Sequence, residues 1–492
     1  MELIDELRKR FGFSSFRPGQ EKIIQALLQE QNVLAVLPTG NGKSLCYQLT
    51  GYLREGLVVI VSPLLSLMED QVTQLQKQGE KRVVAYNSLL SKSEKAYVLQ
   101  HLAEYKFLFL SPEMLTQKEL LNVLQRQKIG LYVIDEAHCV SQWGMDFRPE
   151  YQQLGVIGQR LGSPVTLALT ATATTVVQQD IEKVLFDLPP QVVRHSVNRK
   201  NISLFVRKME DKDEELATLM KQANGSMIIY CATKKEVERL YQLYRGSFSV
   251  GYYHGGLDAS QRRQLQLQFS QNKLQFLVAT NAFGMGINKP DIRAVVHYDL
   301  PDSLENYVQE IGRAGRDQKP SKAILLYKKN DERIHYFFNQ LSREQRQVFE
   351  FYLENDLDNN EFFDEVQQKW LEVVEKMTDP QQWVDRLKAQ EKAKQYRLQQ
   401  MLHYINSETC RRELILDYFG EKLVDKPIQC CDKDGAELYG EAKTITPPIV
   451  QKSSWQEILL NLLKKTTDSI FLRQWSSYYG IILTKEFRRL TR

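Results

Sequence analysis

Residues 33–48 read VLAVLPTGNGKSLCYQ: an apolar, β-branched run that breaks at Pro38 into a glycine-bearing loop and then resumes with helical spacing. A loop that leaves a buried strand and turns into a helix points successive backbone N–H groups at one spot, and the helix N-terminus adds a field that favours an anion there. Gly40 and Gly42 permit a close approach that a side chain would obstruct. Lys43 then reaches toward outer phosphates, Ser44 offers a hydroxyl to a magnesium ion, and Thr39 and Asn41 complete the cradle. The general pattern carries a glycine where Leu37 stands, but that position shapes the loop and contributes no phosphate ligand. A glycine turn with a solvated lysine is the alternative for GKS by itself; the strand before it and the helix after it favour phosphate.

The same alternation recurs on either side. Runs at 57–61, 107–110, 131–134 and 165–169 follow the one at 33–37, separated by polar stretches of helical period, as in a parallel sheet with crossover helices. A second block repeats the plan in SMIIYCA (226–232), FLVAT (276–280), AVVHYDL (294–300) and KAILLY (322–327). Two α/β lobes are expected, 1–195 and 196–330, joined near VVRHSVNRKNISL (192–204). Beyond them the Gln-, Glu- and Lys-rich stretch from Asp331 to about His403 carries apolar residues at helical spacing. It opens a third region, 331–435. A polar, Pro-containing stretch, GEAKTITPPIVQKSS (440–454), lies in a fourth, 436–492, which ends in an amphipathic segment from Trp455.

Composition narrows the class. At 492 residues and 42% hydrophobic content the chain can bury several cores. Six cysteines, irregularly spaced, do not make a secreted disulfide framework, and the charged amino terminus has no signal-like apolar core. A reducing, cytoplasmic setting and no membrane partner are expected. The net charge of +4 is too small to imply a nucleic-acid partner unaided.

YVIDEAHC (132–139) puts Asp135 and Glu136 at the end of an apolar strand, where ligands of open α/β sheets gather. Asp135 suits a magnesium shell, and Glu136 can polarise an attacking water. PTGNGKS, DEAH, TATAT (170–174), ATNAFGMGINKPDIRAVVHYDLP (279–301) and YVQEIGRAGRD (307–317), in that order, resemble superfamily 2 helicases. FGFSSFRPGQEKII (11–24) and HCVSQWGMDFRPEY (138–151) are similar to the RecQ family in particular, and CRRELILDYFGE (410–421) extends the likeness into that family's zinc-binding region.

The resemblance implies a fold of two tandem RecA-like parallel-sheet lobes, a helical zinc-binding region and a short C-terminal domain. It implies an ATP- and Mg2+-dependent 3′-to-5′ DNA helicase acting in recombination and repair. Arg17 and Gln20 would read the adenine. Gln309 would sit near the γ-phosphate, and Arg313 and Arg316 would cross from the second lobe, with Arg316 the first choice for an arginine finger. Trp143, Phe147 and Arg148 fall in the segment 141–151, the aromatic loop that senses single-stranded DNA by stacking and phosphate contact, and stacking there would move His138 and Glu136; core packing of Trp143 and Phe147 is the alternative. Thr170 and Thr172 would couple the lobes, the alternative being a helix cap. Implied partners are single-stranded and forked or tailed duplex DNA and a single-stranded DNA-binding protein, engaged by a nucleoid-associated monomer.

In the zinc region this chain departs from the family. Cys410 matches the first ligand, but the later cysteines shrink to IQCCDKDG (428–435), with Cys430 and Cys431 adjacent. Neighbouring residues point apart in an extended chain, so both thiolates on one zinc need a local kink. Asp434, Asp432 or His403 would complete the set; the alternative is a remnant in which packing replaces the metal. The stretch 339–388 reads as an inserted helical element, and the tail is short for a full winged helix, as in a short bacterial form. The alternative function is a nucleic-acid-stimulated ATPase that remodels RNA or protein–nucleic acid complexes. A non-catalytic scaffold would show damage at Lys43, Glu136 or Arg316, and all three are intact.

Overall fold

The computed structural model describes residues 2–141, 148–284, 289–355, 362–375, 377 and 379–439. Its contacts divide the chain into Met1–Gly440 and Glu441–Arg492. The second unit, with the linker and the tail from Trp455, lies outside the described residues, as do Trp143 and Phe147.

The first lobe is a seven-stranded sheet: β1 (Val33–Val36), β2 (Leu57–Val61), β3 (Val83–Tyr86), β4 (Phe107–Leu110), β5 (Ile129–Ile134), β6 (Thr166–Thr170) and β7 (Gln191–Arg194), in spatial order β3-β4-β2-β5-β6-β1-β7. Every pairing is parallel. Central strands such as VLAV and LVVIV are buried throughout, because crossover helices cover both faces and leave no solvent side to require a polar residue. One core lies on each face, and a smaller cluster around Leu7, Ile24, Leu45 and Leu49 fastens the N-terminal helices to the helix that begins at Lys43.

The second lobe is six-stranded: β8 (Ile202–Lys208), β9 (Ser226–Tyr230), β10 (Val250–Tyr253), β11 (Phe276–Ala279), β12 (Ile292–His297) and β13 (Ser321–Tyr327), in order β10-β11-β9-β12-β13-β8, again all parallel. The stretch read as the joint, 192–204, supplies most of β7 and the start of β8, each an edge strand of its own sheet; only 195–201 is left to connect the lobes. A short edge strand carries little of the apolar run that marks a central one, which is also why β3 and β10 were not legible.

Three helices follow, Arg333–Glu354, Glu365–Val374 and Gln381–Asn406, and all three pack around Phe349, Phe363, Val374, Trp383 and Leu387. The end of the third and the helix Arg411–Tyr418 bury Leu398, Met401, Tyr404, Ile415 and Phe419 in the core of the second lobe, together with Cys410, Cys430 and Cys431. Cys431 bridges Leu204 on β8, so this region continues the sheet's edge. Among the described residues no helix is long and apolar enough to cross a membrane.

Candidate functional site

The strand order brings three motifs to one sheet edge. β5, β6 and β1 are consecutive neighbours. The Asp135–Glu136 pair, the Thr170 turn and the Lys43 loop therefore leave the sheet side by side at its carboxyl end, where open α/β sheets bind ligands. Leu37 N–H donates to Thr170 O (3.0 Å), tying the start of the loop to β6. Gly40 (φ 92°) and Gly42 (φ 69°) take left-handed backbone that a side chain would strain. The helix Lys43–Leu53 starts immediately after them.

Residues upstream brace this loop. Gln20 Nε2 donates to Asn41 O (2.8 Å) and Gly42 O (3.0 Å), while its Oε1 accepts from Arg17 N–H (2.9 Å). The Arg17 guanidinium donates to Gly40 O. Both residues read as adenine contacts thus have their polar groups on the loop itself.

Lys43 Nζ lies 3.5 Å from Glu136 Oε1. Burial pushes the Asp135 carboxyl up, the adjacent Glu136 charge pushes it further, and Lys43 offsets only part of this. Burial acts on Glu136 too, but Lys43, His138 and Arg313 outweigh it and hold Glu136 below the ordinary carboxylate value. One of two neighbouring carboxylates is thus kept ionised by cations while the other retains its proton more easily. Glu136 itself adopts φ 48°, ψ 47°, a conformation costing a non-glycine residue about 1–2 kcal/mol.

His138 connects this pair to the threonine turn. Its Nδ1 stands 3.0 Å from Thr170 Oγ1 and 3.4 Å from Glu136 Oε2. Thr170 gives its own proton to Thr172 O (3.0 Å), so the proton between the two side chains belongs to Nδ1. Thr174 caps the next helix, Thr175–Leu185; the helix-cap alternative for TATAT therefore falls on Thr174, and Thr170 and Thr172 are buried beside His138. Arg148 pairs with Glu113 (3.6 Å).

The second lobe contributes the helix Leu304–Ile311, with Gln309 buried on it, and the loop that follows. The Arg313 guanidinium donates to Gly284 O, and its charge reaches Glu136. A Cβ placed on Gly40 would stand 3.1 Å from Arg316 Cγ, and one on Gly312 would stand 3.3 Å from Thr39 Cβ. The arginine loop and the lysine loop are in contact. Burial, then the charges of Arg313 and Arg199, pull the Arg316 guanidinium down to about 9. A group of cations that depress one another inside a cleft is an environment suited to a polyanion.

Sequence reading did not single out Arg199. It donates to Thr39 O on one side and to Gly312 O, Ala314 O and Gly315 O on the other. Its only sequence signal is one of two arginines, beside Lys200, in the stretch 192–204 that joins the lobes.

The cysteine cluster forms a second site. One ligand atom each from Cys410, Cys430, Cys431 and Asp434 lies within 4.8 Å of all the others. Cys410 Sγ is 3.6 Å from Cys430 Sγ and 3.9 Å from Cys431 Sγ, and Cys431 Sγ is 3.0 Å from Asp434 Oδ2. Tetrahedral zinc with Zn–S near 2.3 Å separates its sulfurs by about 3.7 Å, so these residues fit the ion. Adjacent Cys430 and Cys431 both lie against Cys410 Sγ, and the short helix Asp432–Asp434 that follows returns Asp434 to the sulfurs. Asp432 is instead paired with Arg411 (3.0 Å), and Ile428 is exposed. Burial pushes the Cys430 thiol up to about 11 and Cys431 up to about 12; thiolates there need a cation to displace the proton.

Family comparisons follow this geometry. Residues 17–180 match the DEAD/DEAH box helicase family, 208–318 the helicase conserved C-terminal domain, and 361–434 the RecQ zinc-binding family. The chain belongs to the RecQ family. Its RecQ-family relatives include the probable ATP-dependent DNA helicase RecS of Bacillus subtilis (strain 168), 50% identical over 66% of this chain and 66% of that protein. The ATP-dependent DNA helicase RecQ of Pasteurella multocida (strain Pm70) is 39% identical over 87% of this chain and 61% of its own length. The chain thus spans about two thirds or less of these two relatives. The crystal structure of the DUF1998 helicase MrfA bound to DNA and AMPPNP superposes with a TM-score of 0.57 at 21% identity, covering 69% of this chain and 53% of that one, a likeness of fold. The RecQ zinc-binding match begins at 361, inside the stretch 339–388 that reads from sequence as inserted.

Proposed function

We propose that this RecQ-family chain is an ATP-dependent DNA helicase that moves 3′-to-5′ and couples hydrolysis to strand separation. The observation that carries this reading is the contact between lobes: Arg316 of the second lies against Gly40 of the loop that presents Lys43 in the first.

In this reading the phosphates of ATP lie along the 39–44 loop, with Lys43 on the outer ones. A magnesium ion held by Ser44 and Asp135 would neutralise charge on the phosphate oxygens. Glu136 orients the attacking water and accepts its proton, with His138 holding the carboxylate in place once Lys43 has moved to the phosphates. Arg313 and Arg316 meet the charge that develops on the transferred phosphoryl group, with Gln309 beside them; an arginine delivered this way is worth about 10³–10⁵ in rate in comparable NTPases. Because those arginines belong to the other lobe, hydrolysis requires closure, and closing and parting once per ATP moves the lobes along a strand. Opening one base-pair step costs on average about 1.4 kcal/mol, well within one hydrolysis. Arg17 and Gln20 would leave the loop carbonyls for the adenine. DNA held near Arg148 would act on Glu136 through His138 and Thr170. Zinc on Cys410, Cys430, Cys431 and Asp434 would fasten the helical region to the second lobe.

The test is single-turnover unwinding of forked and tailed duplexes beside Lys43→Ala, with ATPase stimulation compared between DNA and RNA. The variant is expected to bind DNA and to lose turnover and unwinding. Equal turnover removes Lys43 from its role, and stimulation by RNA alone replaces the DNA reading with the remodelling one.

A further inference from the structure

Arg199 sits on the 195–201 connection and belongs to neither sheet, yet its guanidinium joins both lobes. One nitrogen, Nη1, donates to Thr39 O (3.3 Å) of the nucleotide loop and Gly312 O (3.0 Å); the other, Nη2, donates to Ala314 O (3.0 Å) and Gly315 O (2.7 Å). The last three, of which Gly315 O also accepts from Gln318 N–H and Asn201 Nδ2, are main-chain carbonyls just past the helix Leu304–Ile311, where the helix dipole favours a cation. They are also the backbone of the loop that carries Arg313 and Arg316.

A second arginine fixes Arg199 from behind. Arg412 Nη1 donates to Asn198 Oδ1 (2.7 Å) and Arg199 O (3.0 Å), and its Nε donates to Cys430 Sγ (3.3 Å). Arg412 is 3% exposed. A continuous hydrogen-bonded path therefore runs from the cysteine cluster through the buried Arg412 and the half-buried Arg199 to both loops of the cleft.

We propose that Arg199 is a positioning residue that sets how far the arginine loop of the second lobe enters the nucleotide cleft, and that Arg412 holds it at that setting from the cysteine cluster. The proposal rests on the reading of the cleft as an ATP site. Arg199 contacts the loops through their carbonyls alone, so it acts on closure and not on nucleotide capture.

The experiment uses the full chain and measures kcat, affinity for a fluorescent ADP, the tightening of that ADP by aluminium fluoride, and melting temperature. Arg199→Ala is expected to keep ADP affinity within about three-fold while kcat falls about 10-fold or more and the tightening disappears. Arg199→Lys, read in place of the alanine variant should that one not fold, restores melting but not tightening, because one ammonium cannot span four carbonyls. Arg412→Ala reproduces a weaker form, and the double variant is no worse than Arg199→Ala alone, since the two act in series. Unchanged kcat and tightening in Arg199→Ala or Arg199→Lys, or a loss matched by equal loss of ADP affinity, overturns the proposal. A wild-type chain that neither binds nor hydrolyses ATP would instead remove the ATP reading, and this proposal with it.

Discussion

Lys43 Nζ and Glu136 Oε1 form an ion pair at 3.5 Å, with the lysine side chain 18% exposed and the carboxylate 6%. The pair has a consequence for order of events. In the proposed ATP site, phosphates that draw Lys43 away would remove the cation that contributes most to keeping Glu136 ionised and make Glu136 more basic as the water needs a proton acceptor.

Glu136→Gln should therefore separate binding from chemistry. The amide still occupies the site but accepts no proton, so kcat is expected to fall about 10²–10⁴-fold. Nucleotide affinity should stay equal or tighten, because a neutral side chain no longer competes with phosphate for Lys43. Fluorescent-nucleotide titration beside steady-state hydrolysis checks both; a proportional loss of affinity and kcat would assign Glu136 to binding.

Asp135 carries the opposite sign. Its folded-state pKa is raised by burial and by Glu136, so ionising it costs stability as pH climbs from the ordinary carboxylate value through the raised one, and the cost is complete above it. Asp135→Asn should raise the melting temperature of the metal-free protein at neutral pH, by roughly 2–4 °C for a penalty on the order of 1 kcal/mol. Bound magnesium reverses the sign, stabilising the charged form. Stabilisation by Mg·ADP should thus be larger at neutral pH than in mild acid, and that pH dependence should vanish in the variant. Calorimetry at both pH values decides it; a destabilised variant would contradict the burial argument.

Both sheets were legible because their central strands are unbroken apolar runs, and the glycine, lysine and serine loop because of the strand before it and the helix after it. The acidic pair was legible for its place at a strand end. Legibility failed where function is carried by main chain or by distance. Arg199 works on carbonyls, which leave no pattern in side-chain identity. The sharing of one site by Cys430 and Cys431 depends on local backbone geometry, and Asp434 is one of several carboxylates nearby until the turn Asp432–Asp434 selects it. The posts taken by Gln20 and Arg17 on loop carbonyls likewise depend on backbone geometry that no residue spacing encodes.

Metal removal tests that turn directly. Purified full chain is expected to carry one zinc, and Asp434→Ala to lose it with a melting temperature lower by about 5 °C or more, since a ligand bound to the folded state alone stabilises it by several kcal/mol. Asp434→Cys should retain zinc, because thiolate suits the same tetrahedral site. Elemental analysis beside melting curves reads both. A zinc-free wild type with the same stability as Asp434→Ala would mean that packing has replaced the ion.

Gly315 offers the sharpest local test of the arginine loop. It holds φ 54°, and a Cβ there would meet Asn201 Nδ2 at 2.4 Å, Ser321 Oγ at 2.6 Å and Lys319 O at 2.8 Å. The first two are side-chain ends that can swing away, but Lys319 O is main chain and cannot. Gly315→Ala must therefore move the loop itself, adjacent to Arg316. It is expected to destabilise by about 1–3 kcal/mol and to lower kcat while leaving ADP affinity unchanged, because the nucleotide loop belongs to the other lobe. Gly246→Ala, where nothing lies within 4 Å of the added carbon, supplies the silent control. Should Gly315→Ala hydrolyse ATP at the wild-type rate despite the strain, the loop's backbone position would not govern the entry of Arg316 into the cleft.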